Sequence, residues 1–333
     1  MANQRDVAKE AGVSSASVSR YLNNQNLVRS DTAKRIKKAI KKLNYRADYS
    51  AMSLKTGKFF RIGIIVPSNG PFYWQILSEI EKILSAAGYF TNVYFVRKIN
   101  IGGNYHNFNF SLINNRQVDG FILFPLMRDT DNEIISRLLT VNEKFVVIDR
   151  EFENKAINQV VVDNYRCGTT AAELLINSGC RKPLFIWGFK DMWSSQMRYN
   201  GFRETFNNAG ILFDETREIS GEFNAEYTYD YVKTQFSAIP AFDCVFASND
   251  FSAMGFMKAA SEHGLSAGKD YKIIGFDNCE TSPFFDTPLT TFSQPLNEIG
   301  EIAAKMLLDL LGNRVLKENK ILLQGSLIKR DTA

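Results

Sequence analysis

The sequence predicts two structural classes in one chain: a small all-α headpiece followed by a larger parallel α/β body. Two observations predict it. Residues 1–61 hold 14 Lys/Arg against 4 Asp/Glu, whereas the remainder holds 26 basic and 32 acidic side chains, so a basic head stands on a mildly acidic body. Beyond residue 60, short apolar runs alternate with amphipathic helical stretches, the pattern of a parallel sheet crossed by helices. The 333 residues suffice for two or three domains, and 45% hydrophobic with 23% charged content suits a soluble globular chain.

Three helices are expected in the head. Asn3 can cap the first, from Gln4 to Ala11, with Asp6 in its first turn complementing the helix dipole. Gly12-Val13 breaks it, and Ser14 can cap a second helix running to about Asn23. A third begins near Ser30-Asp31 and runs to Leu43. Ile36, Ile40 and Leu43 would form its buried stripe, with Lys34, Arg35, Lys37, Lys38, Lys41 and Lys42 outside. Helix, glycine turn and short polar-fronted helix make a helix-turn-helix, whose second helix enters the major groove. Ser15, Ala16 and Ser17 would face the bases with Arg20 one turn on. Arg20 can grip guanine or hold only phosphate, and the residue type leaves both open.

The run Asp6–Ser14, then Ser17–Asn23, Leu43–Arg46 and Ser53–Gly57, resembles the headpiece of the LacI/GalR family of transcription regulators. That resemblance implies a DNA-binding set of Ser14, Ser15, Ala16, Ser17, Ser19, Arg20, Asn23, Arg29 and Tyr45. It further implies a hinge over 48–56 that becomes helical on operator DNA. There Leu54, next to Lys55, would wedge into the minor groove, although as a lone residue it also reads as ordinary linker. The expected division is 1–47 headpiece, 48–58 hinge and 59–333 effector-binding and dimerisation domain.

In the body, strands are expected at 61–66, 90–96, 120–124, 145–148, 159–162, 183–187, 244–247 and 272–276. Helices fit at 72–87, 167–178, 197–209, 251–263 and 296–311. Polar pairs follow several strands: Asp149-Arg150, Asp163-Asn164, Asn249-Asp250 and Asp277-Asn278. Ligands of open parallel sheets bind at the carboxyl ends of strands. Asp163 and Asp250 suit helix caps, because a helix follows each at once; Asp149 and Asp277 suit ligand contact.

The resemblance extends through Ile62–Pro67, Pro71–Tyr73, Val118–Gly120, Val161–Asn164, Ser248–Asp250, Gly275–Asp277 and Pro288–Thr291. It implies a periplasmic-binding-protein-like body of two Rossmann-like lobes, about 60–160 plus 292–320 and 161–291 plus 321–333. Effector contacts implied by it are Phe72, Tyr73, Asp149, Arg198, Phe223, Asn249 and Asp277, with Trp74 and Trp193 able to stack on a sugar face; Trp187 suits core packing. Departures occur at Ser15-Ala16, at Gly179-Cys180 where Gly-His is frequent, at 100–109 with His106, and at 187–192.

The reading is thus a cytoplasmic homodimer on pseudo-palindromic double-stranded operator DNA, controlled by a small-molecule effector, a sugar first and a purine or sugar phosphate second. A sugar-binding protein or an α/β enzyme is the rival. No P-loop, GxGxxG, HExxH or GxSxG is present, so no enzyme chemistry and no cofactor is expected. Two distant histidines and four scattered cysteines without CxxC offer no evident metal site. No apolar run approaches the ~18 residues of a membrane span, and the N-terminus lacks a signal-like apolar region.

Overall fold

A computed structural model describes residues 2–23, 27–45, 57–67, 70–96, 113, 117–124 and 128–333. Leu54, Lys55, the hinge 48–56 and the 100–109 stretch with His106 lie outside the described residues. The chain divides into two units, Met1–Phe60 and Arg61–Ala333.

The first unit holds α1 (Gln4–Ala11), α2 (Ser15–Asn23) and α3 (Ser30–Lys42). Asn3 and Asp6 cap α1 reciprocally, and Gly12 ends it at φ 62°, a left-handed conformation that costs glycine least. Val7, Ala8, Ala11, Val18, Tyr21, Ile36 and Ala39 form the core. On α3 the buried stripe turns through Ala39, leaving Ile40 and Leu43 only partly covered: the small side chain lets α1 and α3 approach.

The second unit contains two six-stranded sheets. The first takes β1 (Arg61–Val66), β2 (Phe90–Phe95), β3 (Gly120–Leu123), β4 (Phe145–Ile148), β5 (Asn158–Val162) and, late in the chain, β11 (Lys320–Leu323), in the order β11-β5-β4-β3-β1-β2. The second takes β6 (Pro183–Trp187), β7 (Glu218–Ser220), β8 (Cys244–Ala247), β9 (Lys272–Phe276), β10 (Thr290–Ser293) and β12 (Ser326–Ile328), in the order β12-β10-β9-β8-β6-β7. All pairings are parallel except β10 with β12. The central strands are buried on both faces, which is why they read as unbroken apolar runs.

On the first sheet, one face packs under α4 (Pro71–Ala86) and α10 (Leu296–Leu311), the other beside α5 (Arg128–Thr140). The second sheet carries α6 (Asn164–Asn177) and α7 (Trp193–Asn208) on one face, and α8 (Ala225–Gln235) and α9 (Asp250–Glu262) on the other. The chain therefore crosses between lobes after β5, after β10 and after β11. Two expected boundaries move: β10 belongs to lobe two, and β11, expected in lobe two from residue 321, pairs with β5 in lobe one. The register of Ile321 on Val160 explains it, since the apolar Ile-Leu-Leu run completes the buried edge of β5.

Candidate nucleic-acid and effector sites

On α2, Val18 and Tyr21 point into the core, so helical periodicity turns Ser15, Ala16 and Arg20 fully outward, with Ser19 half-covered beside them. Ser14 is exposed but engaged: its Oγ accepts from the Ser17 backbone N–H at 3.1 Å and lies 2.9 Å from Ser17 Oγ. Ser14 and Ser17 thus first secure the helix start. Arg29 is exposed immediately before α3, and Tyr45 packs partly against the headpiece core. Nothing is described of the Asn23 side chain. Lys34, Arg35, Lys37, Lys38, Lys41 and Lys42 are all exposed on α3, where Lys42 pairs with Glu10 at 2.7 Å.

In the body, the residues after the strands gather as a buried polar cluster. Asp149 follows β4 at φ 53° and Asp277 follows β9 at φ 102°. A non-glycine residue in that region costs ~1–3 kcal/mol and persists where the surroundings enforce it. Here sheet bonds do so, because the Asp149 and Asp277 N–H groups still donate to Val160 and Phe292 carbonyls at 2.8 Å each. Arg198, 3% exposed on α7, donates from Nε to Asn164 Oδ1 at 2.8 Å and from Nη1 to the Ser248 carbonyl at 2.7 Å, and its guanidinium stacks 3.5 Å over the Phe276 ring. Asn164 in turn donates to Asp149 Oδ1 at 3.1 Å. The cluster is continuous from lobe one to lobe two.

Its electrostatics follow from one guanidinium among buried carboxylates. Burial raises the Asp149 carboxyl above the usual range, opposed by Arg198 and by bonds from Asn164 and Ser194. Burial pushes Asp277 up to about 7, again opposed by Arg198. The Tyr73 hydroxyl is raised by burial and by these same two aspartates, which places it in their field. A carboxyl that holds its proton more tightly when folded adds stability below its unfolded value near 3.8, and that stability is lost as pH rises through about 7. Urea midpoints should therefore be higher near pH ~5 than near pH ~8, by an amount that shrinks in Asp277→Asn. An unchanged pH gap in that variant would remove Asp277 as the source.

The other expected residues divide. Asn249 accepts from the Ser252 N–H at 2.9 Å, capping α9, and donates to the Phe223 carbonyl at 3.2 Å. This corrects the expected cap: Asn249 fills it, while Asp250 turns inward to Thr291, Ser282 and the Cys279 N–H. Asp163 caps α6 through the Arg166 N–H, as expected. Phe223, at φ 55°, covers Gly188, where any Cβ would strike its ring. Trp193 opens α7, half-covered, next to Ser194. Phe72 packs partly into the lobe-one core. Trp74 is 51% exposed beside Phe95, with ring centroids 6.5 Å apart. Trp187 is buried and donates to Glu218 at 2.8 Å, a core role.

Asn164 stood in one of the polar pairs after a strand but was not expected to join the cluster, and two further partners had no signal in the sequence: Ser194, which bonds Asp149, and Gln294. Gln294 lies on the second crossover and donates to Asp277 Oδ1 at 2.7 Å, while its own Oε1 is buried without a hydrogen-bond partner. A buried amide oxygen left so is costly unless a donor arrives. Together the carboxylates, guanidinium, amide and phenol can exchange hydrogen bonds with a polyhydroxylated small molecule.

Residues 4–48 match the family described as bacterial regulatory proteins, lacI family, and residues 172–333 match a periplasmic binding protein-like domain. The chain is 30% identical to the HTH-type transcriptional regulator RegA of Clostridium saccharobutylicum, over 98% of each chain. It is 29% identical to the ribose operon repressor of Escherichia coli strain K12 over the full length of both. Among solved structures, the lac repressor dimer bound to operator and the anti-inducer ONPF superposes with a TM-score of 0.84 at 25% identity, covering 99% of this chain and 98% of that one.

Proposed function

The chain belongs to the lacI family of bacterial regulatory proteins, and from that premise we propose that it is a transcriptional repressor whose grip on operator DNA is set by a sugar bound between its lobes. The observation that carries the sensing half is the single buried network joining Asp149 of lobe one to Asn164 and Arg198 of lobe two. A ligand completing that network draws both lobes together, and its binding is thermodynamically tied to whatever else depends on lobe position. Two buried carboxylates suit hydroxyl donors, and the relative named ribose operon repressor supports a sugar as the ligand. Tight purine binding with no sugar response would replace the ligand and leave the regulator reading intact.

The DNA half rests on α2. Two headpieces from a homodimer would each place Ser15, Ala16, Ser19 and Arg20 in one half-site of a pseudo-palindrome. The protein would work in the cytoplasm and carry out no chemical conversion; no helix among the described residues is long and apolar enough to cross a membrane. Fluorescence anisotropy on a palindromic duplex, with and without ribose, tests the whole reading. The expected coupling is ~1–3 kcal/mol, equal in both directions. In Arg20→Ala, affinity should fall ~10-fold or more, with the salt slope reduced by about one only if Arg20 holds phosphate. Equal binding to random duplex at moderate salt would sink the proposal.

A further inference from the structure

We propose that Cys180, Cys244 and Asp243 form a binding site for a thiophilic divalent cation of the zinc class, at the end of lobe two opposite the effector crevice. Their donor atoms lie within 4.8 Å of one another, the one such group among the described residues. The placement follows from the sheet. Cys244 opens β8 and pairs in register with Pro183 at the start of β6, three residues after Cys180. Both cysteines therefore sit at the amino ends of their strands, whereas the effector cluster follows the carboxyl ends.

The carboxylate is oriented in advance. Asp243 accepts from the backbone N–H groups of Arg181 and Lys182, at 2.8 Å each, one on each oxygen. Each oxygen keeps a further lone pair for an ion, and hydrogen-bonded carboxylates of this kind are what metal sites use to hold a ligand's direction. Both thiols are buried and Asp243 is half-buried, so the carboxylate side offers entry. Two thiolates, one carboxylate and a divalent cation sum to one negative charge. Positive side chains stand beside it: Lys272 is the cross-strand partner of Cys244, and the Arg181 guanidinium donates to the Cys180 carbonyl at 2.7 Å. Sulfur donors select zinc, cadmium or a similar soft ion over magnesium and calcium, which require oxygen. Three protein donors leave a fourth position for water.

On binding, two S–H bonds break, two metal–sulfur bonds form, and both protons pass to solvent. The reduced full-length protein is titrated with cadmium in weak buffer. We expect one saturable cadmium–thiolate charge-transfer band per chain and release of two protons per ion. Cys279→Ser should leave both signals unchanged, Cys180→Ser should weaken binding at least ~10-fold, and Asp243→Asn should weaken it with the band retained. Absence of the band in the wild-type protein, release of fewer than two protons, or unaltered binding in Cys180→Ser overturns the site. So does cadmium indifference combined with a Cys180–Cys244 disulfide formed by hydroperoxide, which would make the pair a redox couple instead. The wild-type titration alone decides the matter if Cys180→Ser fails to fold.

Discussion

Arg198→Leu is expected to abolish the effector's influence on operator binding and to destabilise the body by about 3–5 kcal/mol. The guanidinium is 3% exposed and answers several needs at once. It satisfies Asn164 Oδ1 and the Ser248 carbonyl, and it is the cation that opposes the upward drift of Asp149 and Asp277. Leucine fills much of the space but leaves two buried acceptors unpaired and two carboxylates without a counter-charge. The loss should depend on pH in a definite direction. As pH falls the carboxylates take up protons and need Arg198 less, so the stability gap should narrow near pH ~5 and widen near pH ~8. Urea unfolding at the two values measures it; a gap independent of pH would reduce Arg198 to a hydrogen-bond donor. Arg198→Lys should fall between, since an ammonium keeps the charge without the planar fork.

Gly168→Ala is expected to cost about 3 kcal/mol or more, large for a single methyl. Gly168 on α6 and Gly201 on α7 let the two helices touch backbone to backbone. A Cβ on Gly168 would run into the Arg198 carbonyl, and one on Gly201 into that of Tyr165. Neither obstacle is the flexible end of a side chain, so relief requires a helix to move. Because α7 carries Arg198, the displacement should weaken effector binding as well as lower the urea midpoint. The exposed Glu173→Ala on the same helix serves as control, expected within about 0.5 kcal/mol of wild type. If Gly168→Ala matched that control, the close approach would be incidental.

The elements legible in the sequence are those whose local chemistry and tertiary role agree. Asn3, Asp6 and Gly12 bracket α1, and the apolar runs of β1, β4, β6, β8 and β9 can only be strands buried on both faces. The strands that were not expected are short edge or near-edge pieces. β7 has three residues, β10 reads Thr-Thr-Phe-Ser, and β11 and β12 gain strand character from neighbours far away in sequence. The helix α8, rich in tyrosine and threonine, has weak periodicity and was likewise not anticipated. Helices α6 and α7 begin three and four residues ahead of expectation, because their polar first turns bury Asn164, Ser194 and Ser195 instead of facing water.

The same limit governs the sites. Asp149 and Asp277 were legible because each follows a strand; Tyr73 and Arg198, implied only by the family resemblance, lie in the same electrostatic field. Gln294 lies on a connection without periodicity, and Cys180 and Cys244 meet only through strand pairing across more than sixty residues. Separation in sequence, and not chemical ambiguity, concealed them.

The interleaving of the lobes bears on how the protein is made. Neither half is a contiguous stretch, and the first sheet stays without its outer strand until Lys320–Leu323 have been synthesised. The growing chain can complete its headpiece early, but the sheet begun by Arg61–Val66 gains its outer strand only after about 250 further residues have been added. A message cut short around residue 300 would therefore yield a competent DNA-reading head attached to two unfinished halves, a product suited to chaperone capture and degradation rather than to partial activity.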